Sequence, residues 1–360
     1  PNGNILVIAW ERKTDDEAYA LGRQTIDNPL NEFWSEAILE LEPIGTNDAN
    51  IVWEWHLWDH LMQDIDNDYP NYGVISEHPE LMNINFGQVG GAGGPGGEPN
   101  GDWLHFNGID YNEYLDQIVV SALKASELFV IDHSTTSEEA AGHEGGNSGM
   151  GGDILFRWGN PQNYERGNAS DRIVYNLHSI NWIEPNYPDG GGFIYFNNGV
   201  GRPGGNYSSA DVFIPPVDEN GNYFIEEEEP FGPSTLTWTF DEGFFSQVQS
   251  GAFRLPNGNA LITDADSRRI FEVTLDGDIV WDYTHSGGNM IARAQKYGYD
   301  LFETNELGDV NGDGNIDVLD VVLTVNIILN LSDPSPAADL NQDGVINVLD
   351  IVIIVNLILG

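Results

Sequence analysis

The chain carries eight histidines and no cysteine, so its chemistry cannot use a thiolate, a disulfide or a Cys-ligated zinc or iron–sulfur site. Two histidines occupy similar places. His105 in WLHFNGIDY and His178 in LHSINWIEP both stand near the start of an apolar run. Asn107 follows His105 by two residues, so on a strand it faces the same side. An imidazole with a nearby amide suits nucleophilic attack on a sulfuryl or phosphoryl group and stabilisation of the resulting oxyanion. Zinc ligation is the rival use of clustered histidines, and it needs a third ligand.

A second chemistry is written near the C-terminus. DVNGDGNIDVLD (Asp309–Asp320) places oxygen-bearing side chains at loop positions 1, 3, 5, 9 and 12, with Gly314 at position 6. DLNQDGVINVLD (Asp339–Asp350) repeats this with Gly344. Six to eight oxygens around a sharp turn is what calcium demands. The first cage is expected from Asp309, Asn311, Asp313, Asp317 and Asp320, with a backbone carbonyl from Asn315. Asp339, Asn341, Asp343, Asn347 and Asp350 form the second, with Val345 at the carbonyl position. Each loop precedes an apolar segment, VVLTVNIIL or IVIIVNLIL, that reads as a helix. The short final Asp, in place of a bidentate Glu, points away from calmodulin-like sensors.

The elements that must position the histidines recur as a unit. Segments rich in β-branched and aromatic residues, bounded by Asn, Asp, Gly and Pro, read as strands. Sets of four are visible: Trp103–Tyr111, Asp116–Ala122, Glu127–His133 and Asp153–Trp158; Leu177–Pro185, Gly191–Asn197, Asp211–Val217 and Thr235–Phe240; Ser250–Asn257, Asn259–Ala265, Arg269–Leu275 and Asp278–Tyr283. An opening set has only Asn4–Trp10, Ala37–Pro43 and Asn50–Trp55. Pro1-Asn2-Gly3-Asn4 matches Pro256–Asn259, the turn between first and second strands of the last set, so the array is expected to lack N-terminal residues. Repeated four-stranded units imply an all-β fold, a β-propeller incomplete at the N-terminus over residues 1–300. A small α-helical calcium-binding module follows over residues 307–360; a double-sheet sandwich is the alternative for the first part. His56–Tyr72 reads as a helical or loop insertion.

Charge narrows the partners. Thirteen basic residues against 58 acidic ones leave a net charge of −45, which disfavours nucleic acid and anionic membrane. Aromatic residues spread along the chain supply the apolar area that acidic disordered chains lack. No run reaches a membrane span; the most apolar, Val318–Leu331, is interrupted by Asp320, Thr324, Asn326 and Asn330.

Over most of Pro1 to Lys296 the chain resembles the arylsulfate sulfotransferase family, through WLHFNGIDYNEYLDQIVVS, SELFVIDHSTTSEEAAGH, GGDILFRWGNP, LHSINWIEP, FNNG and SGAFRLPNGNALI in that order. The resemblance implies a propeller with its site in the central channel. It also implies sulfuryl transfer from an aryl sulfate donor to a phenolic acceptor, through a sulfated histidine and without a nucleotide cofactor. His178 resembles the nucleophile, and His105 with Asn107 resembles the pair that holds the sulfuryl oxygens. Two features depart from the family. Leu123, followed by Lys124, stands where the family has an Arg, leaving Lys124 or Arg202 as candidate replacements, and a further family histidine would fall before Pro1. The C-terminal segment resembles dockerin modules, which implies two calcium ions, a secreted, periplasmic or cell-surface location, and a cohesin-like or cell-surface partner. A non-catalytic propeller that binds carbohydrate or protein is the other function the residues allow.

The remaining signals read as structure. His133 and His143 flank an acidic loop expected to be solvated, with metal binding as the other use. His60 is expected to pack among Trp53, Trp55 and Trp58, and Arg202 to form a salt bridge. Gly87–Gly97 and Glu226–Glu229 are a loop and a solvated turn.

Overall fold

A computed structural model describes residues 2–91, 97–297, 307–329, 331–332, 334–341 and 344–359. The chain divides into two compact units, Pro1–Gln295 and Lys296–Gly360.

The first unit is built of antiparallel meanders. Strands β1 (Ile5–Thr14), β2 (Glu32–Ile44) and β3 (Asp48–His56) form one sheet, with the short helix α1 (Asp15–Ala20) between the first two. A single 3-10 turn at Leu57–His60 leads to β4 (Leu61–Met62), which pairs in parallel with β5 (Met82–Asn83). The second meander is β6 (Phe106–Asn112), β7 (Gln117–Ala122), β8 (Glu127–Asp132) and β9 (Ile154–Trp158), with α2 (Ser137–Ala140) before its last strand. The third is β10 (Leu177–Trp182), β11 (Phe193–Asn197), β12 (Ser209–Phe213) and β13 (Trp238–Phe240). The fourth is β14 (Gly251–Arg254), β15 (Ala260–Asp264), β16 (Arg269–Val273) and β17 (Ile279–Thr284).

The two-residue period of each strand explains how these sheets pack. In the second sheet Ile118, Val120, Phe129 and Ile131 join the first sheet's Ile38, Trp53 and Trp55 in one core cluster. Their neighbours Val119, Leu128 and Val130 turn to the opposite face and meet Phe193, Tyr195 and Phe213 of the third sheet. The third sheet's other face, with Ile194, Phe196 and Val212, meets Ala260, Ile262 and Phe271 of the fourth. Each inner sheet is therefore buried on both faces, and strands such as β7, β8 and β11 read as continuous apolar runs for that reason.

In the second unit, α3 (Val318–Ile328) and α4 (Val348–Leu359) each follow an acidic loop. Asp317 caps α3 through Leu319 N at 2.7 Å, and Asp320 completes the capping box.

Candidate functional site

The first strands of successive sheets lie side by side, and this brings the sequence-predicted residues together. Asn107 Nδ2 donates to Leu177 O at 2.9 Å, across from β6 to β10. Asn181 Nδ2 donates to Ala252 O at 3.1 Å, from β10 to β14. Both β6 and β10 are bulged at the site, between Phe106 and Gly108 and between His178 and Asn181. A Cβ on Gly108 would stand 2.6 Å from Ser121 Oγ and 3.0 Å from Ile180 N, so only glycine lets the two bulges approach this closely.

His105 and His178 are not equivalent in the repeat, contrary to the expectation from LHF and LHS. His105 precedes β6 in a left-handed conformation with φ 59°, and its carbonyl accepts Leu123 N at 3.3 Å. The residue with this φ and this bond before β10 is Asn176, whose carbonyl accepts Asn198 N at 3.1 Å. His178 therefore matches Asn107, and Leu123 matches Asn198. Register is set by the left-handed residue and the ladder, and the shared Leu-His dipeptide is offset from both. His105 also lies outside the strand, so the alternation rule does not relate it to Asn107.

The environment of His178 determines its tautomer. Asn198 Nδ2 donates to Ser246 O at 2.9 Å and Gln249 O at 3.1 Å, which leaves its Oδ1 facing His178 Nδ1 at 2.8 Å. An amide oxygen only accepts, so Nδ1 carries the proton and Nε2 keeps its lone pair. Burial pushes the His178 pKa down to about 4, aided by charge on nearby His105 and only partly opposed by the bond to Asn198. The ring is thus neutral near pH 7, with a nucleophilic nitrogen uncommitted among the described residues. Asn107 Oδ1 accepts from Ser121 Oγ at 2.6 Å, leaving its second amide N–H available.

His105 is held differently. Its Nδ1 meets Asp102 Oδ2 at 2.7 Å, and its backbone N–H donates to Glu36 Oε1 at 2.8 Å. Burial works against ionisation of Asp102, but His105 and Lys124 more than offset it and hold the carboxyl below its usual range. Glu36, fully buried and facing Asp102's charge, is pushed up to about 8 and stays protonated. Asp102 and His105 form a carboxylate–imidazole pair suited to carrying a proton.

The acidic loops of the second unit close on their own carboxylates. Asp309 accepts Gly312 N at 2.9 Å, Asp313 N at 3.1 Å and Gly314 N at 2.8 Å. Asp320, fully buried, accepts Val310, Asn311 and Asp317 amides at 2.8 to 3.0 Å. Asp339 accepts Gly344 N at 2.9 Å, and Asp350 accepts Leu340, Asn341 and Asn347 amides. Gly314 and Gly344 have φ 82° and 79°, the sharp turn expected at position 6. Asp343 lies outside the described residues. Buried carboxylates converging where Leu307–Leu359 contains no Lys or Arg fit a divalent, oxygen-seeking cation.

The family model for arylsulfotransferase (ASST) matches residues 1–279. The chain belongs to the arylsulfotransferase family. Membership supports sulfotransferase function in general, and the dockerin type I model matches residues 307–359, a domain type that binds calcium and occurs in extracellular proteins. No curated protein matches. A crystal structure of a protein of unknown function from Bacteroides caccae is similar at 11% identity, over 52% of this chain and 49% of that one, with a TM-score of 0.29. The alignment thus spans about half of that protein's length. Among the described residues no helix is long and apolar enough to cross a membrane.

In this arylsulfotransferase unit neither expected replacement cation is free. Lys124 Nζ bonds Asp102 O at 2.6 Å and Asp102 Oδ2 at 3.1 Å. Arg202 donates to Ser209 Oγ at 2.6 Å and stacks over Tyr207, with Asp211 at 3.9 Å. Asn198, Asp102 and Glu36 were not singled out from the sequence; only Asn198 left a trace, in FNNG. His133 does not meet His143: its nitrogens face Asp116 at 2.7 Å and Glu40 at 3.0 Å. His60 packs as expected, fully buried and stacked on Trp55.

Asn198, itself held by Ser246 and Gln249, fixes the orientation of the His178 ring. Asn198→Leu is expected to lower kcat by about 10- to 100-fold with little change in KM, since the ring loses its fixed tautomer. Asn198→Asp keeps an acceptor and should recover part of the loss. Steady-state kinetics on both variants checks this; equal losses would refute the tautomer argument.

Proposed function

We propose that the first unit is a β-propeller whose innermost strands carry a sulfuryl-transfer site. Face-to-face stacking of successive four-stranded meanders supports the architecture.

The observation carrying the function is the neutral, Asn198-oriented His178 beside Asn107. His178 Nε2 attacks the sulfur of an aryl sulfate; the N–S bond forms as the S–O bond to the aryl oxygen breaks. The phenolate leaves and takes a proton from His105. In the second half, His105 accepts the proton of a phenolic acceptor, whose oxygen attacks sulfur and releases His178. Asn107 donates its free N–H to the sulfuryl oxygens. No nucleotide is needed, because the donor already carries an activated aryl leaving group.

The second unit would hold two calcium ions, through Asp309, Asn311, Asp313, Asn315, Asp317 and Asp320, and through Asp339, Asn341, Asp343, Val345, Asn347 and Asp350. Bound calcium supplies the charge that lets these carboxylates converge. A cohesin-type or cell-surface partner fits the exposed apolar positions repeated in both helices: Val318 and Val348, Leu319 and Leu349, Val322 and Val352. An extracellular location is consistent with such a module.

Leu123, with Lys124 tied to Asp102, favours one other reading, a propeller that binds without catalysis. Incubation with p-nitrophenyl sulfate and an added phenol separates the two. Release of p-nitrophenol with stoichiometric sulfation of the phenol is expected; a protein inert to several donors is a binding module.

A further inference from the structure

Three further side chains, His60, His143 and Asp153, converge. Among the described residues they are a group of three metal-capable side chains whose ligand atoms lie within 4.8 Å of one another. His60 Nδ1 stands 2.8 Å from Asp153 Oδ1, and His143 Nδ1 stands 2.7 Å from the same oxygen. His60 Nε2 is 2.9 Å from the carbonyl of Ala140. A carbonyl only accepts, so Nε2 carries a proton. In the neutral ring Nδ1 then has a lone pair, aimed at a carboxylate oxygen. Lone pair against lone pair at this distance is repulsive, so a cation must lie between them: a proton, or a metal ion.

We propose that this group is a zinc site. Two imidazoles and one carboxylate are a donor set for zinc, and three protein ligands leave a fourth position for water. An N–H bonded to a backbone carbonyl on the far side of a ligating imidazole is the usual outer support of such a site. The cradle is built for it. Stacking on Trp55, with rings 5° from parallel, fixes the His60 plane, and Trp55 Nε1 donates to Gly152 O at 2.7 Å. A Cβ on Gly152 would lie 2.7 Å from His60 Nε2, so glycine is required there. Tetrahedral zinc separates its nitrogen and oxygen ligands by about 3.3 Å, so the side chains need to part by about half an ångström. The entry path is open, because His143 is exposed and lines a pocket of about 470 Å³ with Trp58, Asp59 and His78. Zinc here ties the turn after β3, the glycine-rich loop after α2 and the start of β9 into one joint.

The full chain, stripped with EDTA and returned to excess calcium so that the acidic loops are filled, is titrated with zinc by calorimetry. One tight zinc per chain is expected. His143→Ala removes an exposed ligand and should weaken that site by about 100-fold or more without shifting the zinc-free melting temperature. Asp153→Asn should do the same, and cobalt(II) should give visible four-coordinate bands in the wild type that both variants lose. Failure of the wild type to bind zinc, or equal affinity in wild type and His143→Ala, overturns the proposal and leaves a proton between His60 and Asp153.

Discussion

Replacing His178 by alanine abolishes sulfuryl transfer from p-nitrophenyl sulfate to a phenol, with a loss of about 10⁴-fold or more and an unchanged melting profile. The size follows from the role. A covalent nucleophile splits one difficult step into two, and the contact with Asn198 leaves the His178 Nε2 lone pair free beside Asn107. The fold should survive, because the ring gives up one hydrogen bond, to Asn198, in a bulged strand end. His105→Ala should cost less, about 10²- to 10⁴-fold, since acid–base help is removed and the nucleophile kept. Undiminished transfer by His178→Ala would refute the assignment.

The pH behaviour of His178 supplies a second reading of the same group. An imidazole ordinarily titrates near 6.5, and burial lowers this one to about 4. Unfolded chains therefore take up a proton that the folded chain refuses between these values. Stability contributed by neutral His178 is fully present above about pH 6.5 and is lost as pH falls toward 4. The ring C–H resonances of His178, followed by NMR, should titrate near pH 4. A midpoint near 6.5 would remove the claim that the site keeps its nucleophile neutral.

Removing calcium is expected to unfold the second unit while leaving the first one's melting transition in place. Among the described residues its buried apolar side chains are few, Ile327 and Ile354 on the helices with Ala337 and Ala338, beside the fully buried Asp320 and Asp350. Buried carboxylates with no basic residue between Leu307 and Leu359 repel one another, and binding energy for calcium is then folding energy. With EDTA the helical signal of α3 and α4 and their amide protection should disappear, and two equivalents of calcium should restore both. A unit that keeps its protected amides in EDTA, or calorimetry without calcium uptake, refutes this.

Much was legible in the sequence because it is written at short range. Strands β7, β8 and β11 show as β-branched and aromatic runs, and the calcium loops show as oxygens at fixed offsets around Gly314 and Gly344. Each is a property of a dozen residues or fewer. Pairing His105 with His178 failed, because register depends on backbone conformation: the left-handed φ of His105 and Asn176 sets the frame, and the Leu-His dipeptides do not share it.

The sequence by itself determined the strand-rich first unit, the paired acidic loops and the absence of thiol chemistry. Only the tertiary structure decided which groups act on one another. Asn198 orients His178 from 20 residues away, Asp102 claims the Lys124 ammonium, Glu36 holds the His105 turn from another sheet, and Asp153 meets a histidine 93 residues earlier. Tautomer, charge and ligand geometry are set by contacts a few ångströms long, and folding brings those contacts together without regard to distance along the chain.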